Sequence, residues 1–184
     1  MIALLPGNST SSIKLAVCLL ALLGAAIGPR AAAQTATVTV NSTVPQVLSL
    51  TIDTVTVSIP FLTTDYNLST GAATKTVTGA NTLSVESNKT WTVSLKANTA
   101  AFSFVPSAGD LDPSKACGNL SYKVSGGPSF VPITTSNVSV KTGPKGGTAT
   151  VGNSFAMDYQ LTSNLSQDPP GAYTLAIVYT LTAP

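Results

Sequence analysis

The residue types that enzymes most often use for acid–base and nucleophilic chemistry are scarce in this chain of 184 residues. It contains no histidine, which excludes Ser-His-Asp and Cys-His catalysis, histidine-based zinc sites and imidazole proton transfer. Carboxylates remain, and a glycosidase needs two of them facing each other across a cleft. Most of the acids lie beside turn residues, where Asp has a local role, so we expect no enzymatic activity and no cofactor. The acids are Asp53, Asp65, Glu86, Asp110, Asp112, Asp158 and Asp168.

Residues 110–114, with the sequence Asp-Leu-Asp-Pro-Ser, carry oxygen ligands at alternate positions, as a calcium-binding loop begins. Lys115 occupies the position where such a loop has a glycine, and Ser121 the position where it has a glutamate. We therefore interpret these residues as a surface loop and expect no metal site, with calcium binding as the alternative.

Cys117 lies just beyond that loop and is the only cysteine after the N-terminal leader defined below. A single thiol cannot form an internal disulfide. No base or second cysteine nearby makes it a nucleophile candidate, so we interpret it as a partly buried small residue. An intermolecular disulfide and a chemical attachment point are the alternatives.

The pattern Asn-x-Ser/Thr is overrepresented, and each occurrence is a candidate glycosylation site if the source cell has the transferase. The alternative is that a Thr-rich β protein places Asn in turns before its strands, which is the interpretation we favour for a bacterial source. The six candidate sites after the N-terminal leader are Asn41, Asn67, Asn88, Asn119, Asn137 and Asn164.

The N-terminal residues have the organisation of a cleavable export signal. Lys14 precedes an apolar run over residues 15–27, which is too short for the roughly 20 residues that span a bilayer as a helix. Gly28-Pro29 and the small residues 31–33 follow, and they predict cleavage before Gln34. We therefore predict a signal peptide over residues 1–33 and a mature chain over residues 34–184 that is secreted or held at the cell surface, in the periplasm or outside the cell.

Removal of this leader changes the net charge. The whole chain carries nine cationic residues and seven acids, and the leader contains two of the cations, Lys14 and Arg30. The mature chain therefore has 9 − 2 = 7 lysines against 7 acids, a formal net charge of zero. Because the lysines are scattered and no Arg remains, we expect no nucleic-acid partner. We also expect no transmembrane segment in the mature chain.

Alternation of apolar and polar residues with a period of two dominates the mature chain, and no helical periodicity extends over three turns. We predict strands in residues 35–40, 48–52, 55–59, 91–95, 120–124, 138–140, 155–161 and 173–181, with Trp91 as a core residue. Clusters of Gly and Pro predict turns at residues 125–128, 143–147 and 168–171. Many short strands at close spacing predict a single all-β domain with an immunoglobulin-like antiparallel β-sandwich, and a small β-barrel is the alternative.

Four segments carry a resemblance to known proteins: residues 36–40 (ATVTV), 44–50 (VPQVLSL), 87–93 (SNKTWTV) and 170–173 (PGAY). Their order along the chain resembles that of bacterial secreted surface β-sandwich proteins, namely the WxL-like and spore coat protein U-like pilin groups. This resemblance implies an exported β-sandwich at a bacterial surface.

These observations favour a structural protein of the cell surface, a subunit of a fibre or layer whose partners are copies of itself or other envelope components. Residues 35–44 begin just after the predicted cleavage site and can add as a strand to the open sheet edge of a neighbouring subunit. Ala36, Val38, Val40 and Val44 lie on one face of that strand, with Ser42 as a gap. The alternative is that the strand completes the protein's own sandwich.

A second hypothesis is an adhesin or glycan-binding module, because such sites present aromatic platforms. The aromatic residues in or near predicted loops are Phe61, Tyr66, Phe102, Phe104 and Phe130. Packing at the ends of the sandwich is the alternative role for most of them.

Overall fold

The computed structural model describes residues 37–107 and 109–184. The predicted signal peptide over residues 1–33 lies outside the described residues. Residues 43–184 form one compact unit, and residues 37–42 belong to a separate N-terminal unit. The strands of the described residues are β1 Leu48–Ile52, β2 Ala72–Ser87, β3 Trp91–Ala97, β4 Ser103–Pro106, β5 Leu120–Val124, β6 Val131–Pro132, β7 Val138–Gly143, β8 Ser154–Asn164, β9 Gly171–Thr174 and β10 Ile177–Thr182. Two short 3-10 turns cover Thr63–Asp65 and Cys117–Asn119.

The larger sheet has five antiparallel strands in the order β1-β2-β8-β5-β6. Its centre is the pair of long strands β2 and β8. Their register shifts between Val77 and Asn81, where Gly79 has a φ of +58° and donates its backbone N–H to Asp158 Oδ1 over 2.9 Å. This bulge keeps the apolar residues Leu83 and Val85 facing the core.

The smaller sheets contain three strands in the order β10-β3-β7 and two strands, β4 and β9. All of their pairs are antiparallel. The five- and three-stranded sheets pack face to face, as the stacked rings of Trp91 on β3 and Phe155 on β8 show, with centroids 6.2 Å apart. Residues of both sheets form one hydrophobic core.

The predicted all-β sandwich is confirmed, and the sheets keep free outer strands instead of closing into a small barrel. Trp91 is a core residue, as predicted, with 1% of its surface exposed. Its indole N–H donates to the carbonyl oxygen of Pro144 at 2.9 Å and to Asn153 Oδ1 at 3.2 Å. Burial of the one indole polar group is therefore compensated by hydrogen bonds.

Two strand predictions are wrong, and the single strand predicted over residues 173–181 is instead two strands, β9 and β10, which belong to different sheets. Residues 37–40 and 55–59 have alternating sequences, but neither range contains a strand in the structure. In residues 37–40 the valines are exposed, so the predicted half-buried strand is absent from that described range. In residues 55–59, Val57 and Ile59 pack partly against the core while Val55 is exposed. A strand exists only with a ladder partner, and alternation indicates faces without supplying that partner.

Candidate assembly surface

The N-terminal segment, residues 35–44, is described by the structure from Thr37 onward. It has no regular secondary structure there. Its valines are far more exposed than apolar residues usually are: Val38 by 83%, Val40 by 85% and Val44 by 76%. Isolated exposed apolar residues are ordinary, but a row of them that would share one face of a strand indicates a surface that is covered by something else.

The outer strand β10 has an unpaired edge. It pairs with β3 through six consecutive residue pairs, from Ile177 opposite Ala97 to Thr182 opposite Thr92. On its other side, no strand of the described residues pairs with it. Its sequence, IVYTLT, contains no charged residue and no proline. Such an edge offers a row of free N–H and C=O groups without the features that usually block pairing.

The segment over residues 54–61 lies next to this edge and also lacks a ladder. Within the described part of the chain, its backbone takes no part in hydrogen bonds to other backbone groups. The flanking residues are fixed, because Asp53 N–H donates to the Thr82 carbonyl at 3.1 Å and Leu62 N–H donates to Asp65 Oδ2 at 2.7 Å. Both sides of the space between this segment and β10 therefore have unpaired backbone.

An apolar groove of about 560 Å³ occupies that space. Residues 52–59 form one wall and residues 173–179 the other. The inward-facing side chains of the second wall are only half-buried, although they alternate as the sequence predicted. These side chains are Tyr173, Leu175, Ile177 and Tyr179. The groove thus leaves part of the sandwich core uncovered along the edge of β10.

The bottom of the groove contains three polar side chains. The hydroxyl groups of Tyr159 and Tyr179 are hydrogen-bonded to each other. Burial raises the pKa of both, and the proximity of Tyr159 raises that of Tyr179 further, so both phenols stay neutral at ordinary pH. Asn81, at the end of the β2 bulge, is the third, with 6% of its surface exposed. The groove is therefore uncharged and mainly apolar, with these three polar side chains at its bottom and threonines along its walls.

Asn81 and the two tyrosines were not among the residues that sequence reasoning selected. Asn81 precedes Leu83 and Val85 on the same face of β2, so a polar side chain interrupts an apolar row. This interruption is the signal that could have identified it. The groove itself has no local signature, because its walls come from segments more than 100 residues apart in the sequence.

Most of the acids occupy structural positions. Asp168 pairs with buried Lys115 and accepts from Ser163 Oγ and the Asn164 N–H, each at 2.9 Å. Burial opposes its ionisation, but these hydrogen bonds outweigh burial and lower the pKa of Asp168. The same balance lowers the pKa of Asp158, which accepts from Ser125 Oγ and the Gly79 N–H and lies 3.7 Å from the ammonium group of Lys123.

The other acids are local or exposed. Asp65 forms an ion pair with Lys75 at 2.8 Å, and Asp53 accepts from the Thr82 N–H at 2.7 Å. Asp112 accepts from the Ser114 N–H at 2.8 Å, a turn of the kind that Asp forms with its own loop. Glu86 and Asp110 are exposed. Among the described residues, no three acids, cysteines or histidines are grouped as a metal site would require.

Cys117 is buried and its thiol lies 3.4 Å from the carbonyl oxygen of Ile133. Burial of this kind keeps a thiol away from other chains and reagents. These are the surroundings of a small buried residue. Cys117 is not among the residues that line the groove.

The six candidate glycosylation sites lie in different surroundings. Asn41, Asn67, Asn88 and Asn137 are exposed, and Asn119 and Asn164 are partly covered. Asn67 and Asn164 accept from the serine two residues later, as turn residues do. Glycosylation stays a prediction.

The aromatic residues considered for glycan binding make contacts within the domain. Phe61 packs on Tyr66, and Phe102 and Phe104 pack on Tyr173, with ring centroids 5.8, 6.5 and 4.7 Å apart. The ammonium group of Lys123 lies over the ring of Phe130. Glycan binding stays a prediction.

No protein-family model matches the sequence, and neither does any characterised protein. The resemblance to surface β-sandwich proteins therefore stays a prediction based on four sequence segments. Of the helices that the structure describes, none is long and apolar enough to cross a membrane.

Proposed function

We propose that this protein is an exported, non-enzymatic structural subunit of a cell-surface fibre or layer, and that it assembles by strand addition. The N-terminal segment of one copy adds to the free edge of β10 in the next copy. The observation that carries this proposal is the coexistence, on one chain, of an exposed apolar strand-like segment and an unblocked sheet edge beside an open groove.

Strand addition suits both partners physically. Main-chain hydrogen bonds along the edge supply affinity, and the alternate side chains of the added strand enter the groove and supply specificity. Full burial of a valine side chain contributes about 1.5 kcal/mol or more. Such contributions from Val38, Val40 and Val44 must exceed the cost of ordering the segment and of association. A head-to-tail contact between copies is heterologous, so it propagates into a filament unless the rotation closes a ring.

The test compares two double variants of the mature chain that begins at Gln34. Val38→Asp with Val40→Asp places two charges on the apolar face of the N-terminal segment. Thr37→Asp with Thr39→Asp places the same charge on the opposite face and is the matched control. Light scattering over a concentration series and electron microscopy measure the assembly state.

We expect concentration-dependent oligomers or fibres from the unmodified mature chain and from the threonine control, and monomers from the valine variant. Monomers from the unmodified chain at every concentration would overturn the proposal. Equal assembly by both variants would show that the N-terminal segment is not the added strand.

A further inference from the structure

The groove beside β10 contains a buried hydrogen-bond acceptor without a partner. Asn81 Oδ1 is fully covered and accepts no hydrogen bond. Buried polar atoms of folded proteins are almost always paired, because an unpaired one loses its hydration without compensation. Asn81 is one of the residues that line the groove, so an occupant whose donor reaches this oxygen would satisfy it.

The occupant must also be uncharged. The walls of the groove over residues 52–59 and 173–179 are mostly aliphatic and aromatic, and the tyrosine hydroxyls at its bottom are neutral. A charged group there would lose its hydration without an opposite charge to pair with. The matching occupant is therefore an extended apolar segment with a single neutral donor.

The N-terminal segment has this composition. It contains no charged residue. Val38, Val40, Ser42 and Val44 fall on one face of an extended strand, and Ser42 is the only hydroxyl group among them. All four residues are exposed in the structure. Ser42 interrupts the apolar face and reduces the apolar area that the segment can bury. Its hydroxyl group is the one donor that the groove lacks.

We propose that Ser42 sets the register of assembly by donating its hydroxyl hydrogen to Asn81 Oδ1 of a second copy. This inference rests on the proposed function and identifies the pairing within it. Val40 and Val44 flank Ser42 and enter the apolar parts of the groove on either side. A slip of one residue turns every valine to the outside, and a slip of two places a valine against Asn81 and leaves its oxygen unpaired.

Disulfide cross-linking measures this register directly. In a Cys117→Ser background, the mature chain carries Ser42→Cys with Asn81→Cys, or Val40→Cys with Asn81→Cys as the matched control. The control cysteine lies on the same face but about 7 Å along the strand. A disulfide requires Cα atoms about 4.4–6.8 Å apart. We expect a ladder of covalent oligomers on non-reducing gels from the first pair and at least tenfold less from the control.

The outcomes separate this inference from the proposed function. A control ladder as strong as that of the 42–81 pair would overturn the register while leaving assembly by the segment intact. A covalent monomer with altered mobility would show that the segment fills the groove of its own chain. Oligomers of the unmodified chain that the valine double variant does not abolish would overturn the proposed function, and the register with it.

A double-mutant cycle without cysteines provides a second measurement. Ser42→Val leaves Asn81 unpaired in the assembled state, and Asn81→Leu leaves the serine hydroxyl unpaired. We expect each change alone to raise the concentration needed for assembly about tenfold, and the two together to restore it to within a few-fold of the original. Additive losses would overturn the pairing, as would full assembly of the Ser42→Val variant.

Discussion

The two outer strands of the three-stranded sheet differ in how their edges are protected. β7 carries Lys141, and its register with β3 shifts at Val140, so that it bulges away from regular pairing. β10 pairs with β3 without a shift and has no charge or proline. Bulges and lysines are the usual protection of an edge strand. The difference indicates that the edge of β7 is protected against pairing, whereas the edge of β10 is open to it.

The same contrast applies to the packing behind each strand. At the end of β7, Gly143 lies directly under the Trp91 ring, and the indole is completely buried. Behind β10, Ile177 and Tyr179 face the groove and are only partly covered. The indole at the end of β7 is therefore covered within one chain, whereas part of the core behind β10 stays open. The remaining side chains of β7 are no more buried than those of β10.

The largest expected effect compares core residues on these two sides. Trp91→Ala removes a fully buried ring and its hydrogen bonds, so we expect a loss of about 3–5 kcal/mol in the free energy of unfolding. Ile177→Ala, in the partly open wall, should cost about 2 kcal/mol or less, since less surface is buried there. Both losses are measured by urea unfolding, with each change introduced separately into the valine double variant, which we expect to be monomeric. Equal losses would contradict the view that the β10 side is incomplete.

A smaller effect is expected at the β7 end. A Cβ added at Gly143 would lie 2.1 Å from Cζ2 of Trp91, which the buried ring cannot accommodate without moving. We expect Gly143→Ala to lower the free energy of unfolding by about 1–3 kcal/mol. Gly147→Ala is the matched control, because its Cβ would have no atom within 4 Å. Thermal melting that leaves both variants alike would show that the packing at this end is looser than described.

The sequence predicted the strands whose alternation agrees with a ladder, such as β3, β5 and β8, and it identified Trp91 as a core residue. It did not predict β2 as a strand, because Gly79 and Asn81 interrupt the apolar row at the bulge. Pairing with β8 and the Asp158 hydrogen bond to Gly79 hold that stretch in the sheet. These contacts are distant in sequence, so no local pattern reports them.

The two wrong strand predictions have a common cause. Residues 37–40 and 55–59 have strand-like alternation but no ladder partner among the residues that the structure describes. One is the added strand in the proposed assembly, and the other is a wall of the groove that receives it. The candidate site could not be predicted from the sequence for the same reason, because an unpaired edge becomes visible only when the pairing of every other strand is known.

Acidic pH should act on the domain but not on the assembly contact. The pKa values of Asp158 and Asp168 are lowered from 3.8 in the folded state. Their contribution to stability is therefore fully present above that value and is lost as the pH falls through the lower folded-state values. We expect the urea concentration at the midpoint of unfolding to decrease when the pH is lowered below about 4. The Asp168→Asn change should remove part of that decrease.

The N-terminal segment and β10 contain no Asp, Glu or Lys, and burial raises the pKa of Tyr179. Light scattering should accordingly show assembly that is unchanged from about pH 5 to 9 and insensitive to salt, since no charged group changes at the contact. A strong salt or pH dependence in that range would place charged residues in the interface and contradict strand addition at β10.

A change on the outer face of β10 should have the smallest effect on stability and a large effect on assembly. Val178 lies on the outer face of β10 and is 36% exposed, so Val178→Lys should change the free energy of unfolding by about 0.5 kcal/mol or less. It gives β10 the kind of charge that β7 already has, and we expect light scattering to show assembly only at much higher concentration.

The reverse change, Lys141→Val, removes the charge from β7 but leaves its bulge. It should create no second assembly edge, because a shifted ladder cannot extend into a neighbouring strand in register. If Lys141→Val produced branched or thicker assemblies, charge alone would distinguish the two edges. If Val178→Lys assembled normally, the added strand would pair elsewhere than at β10.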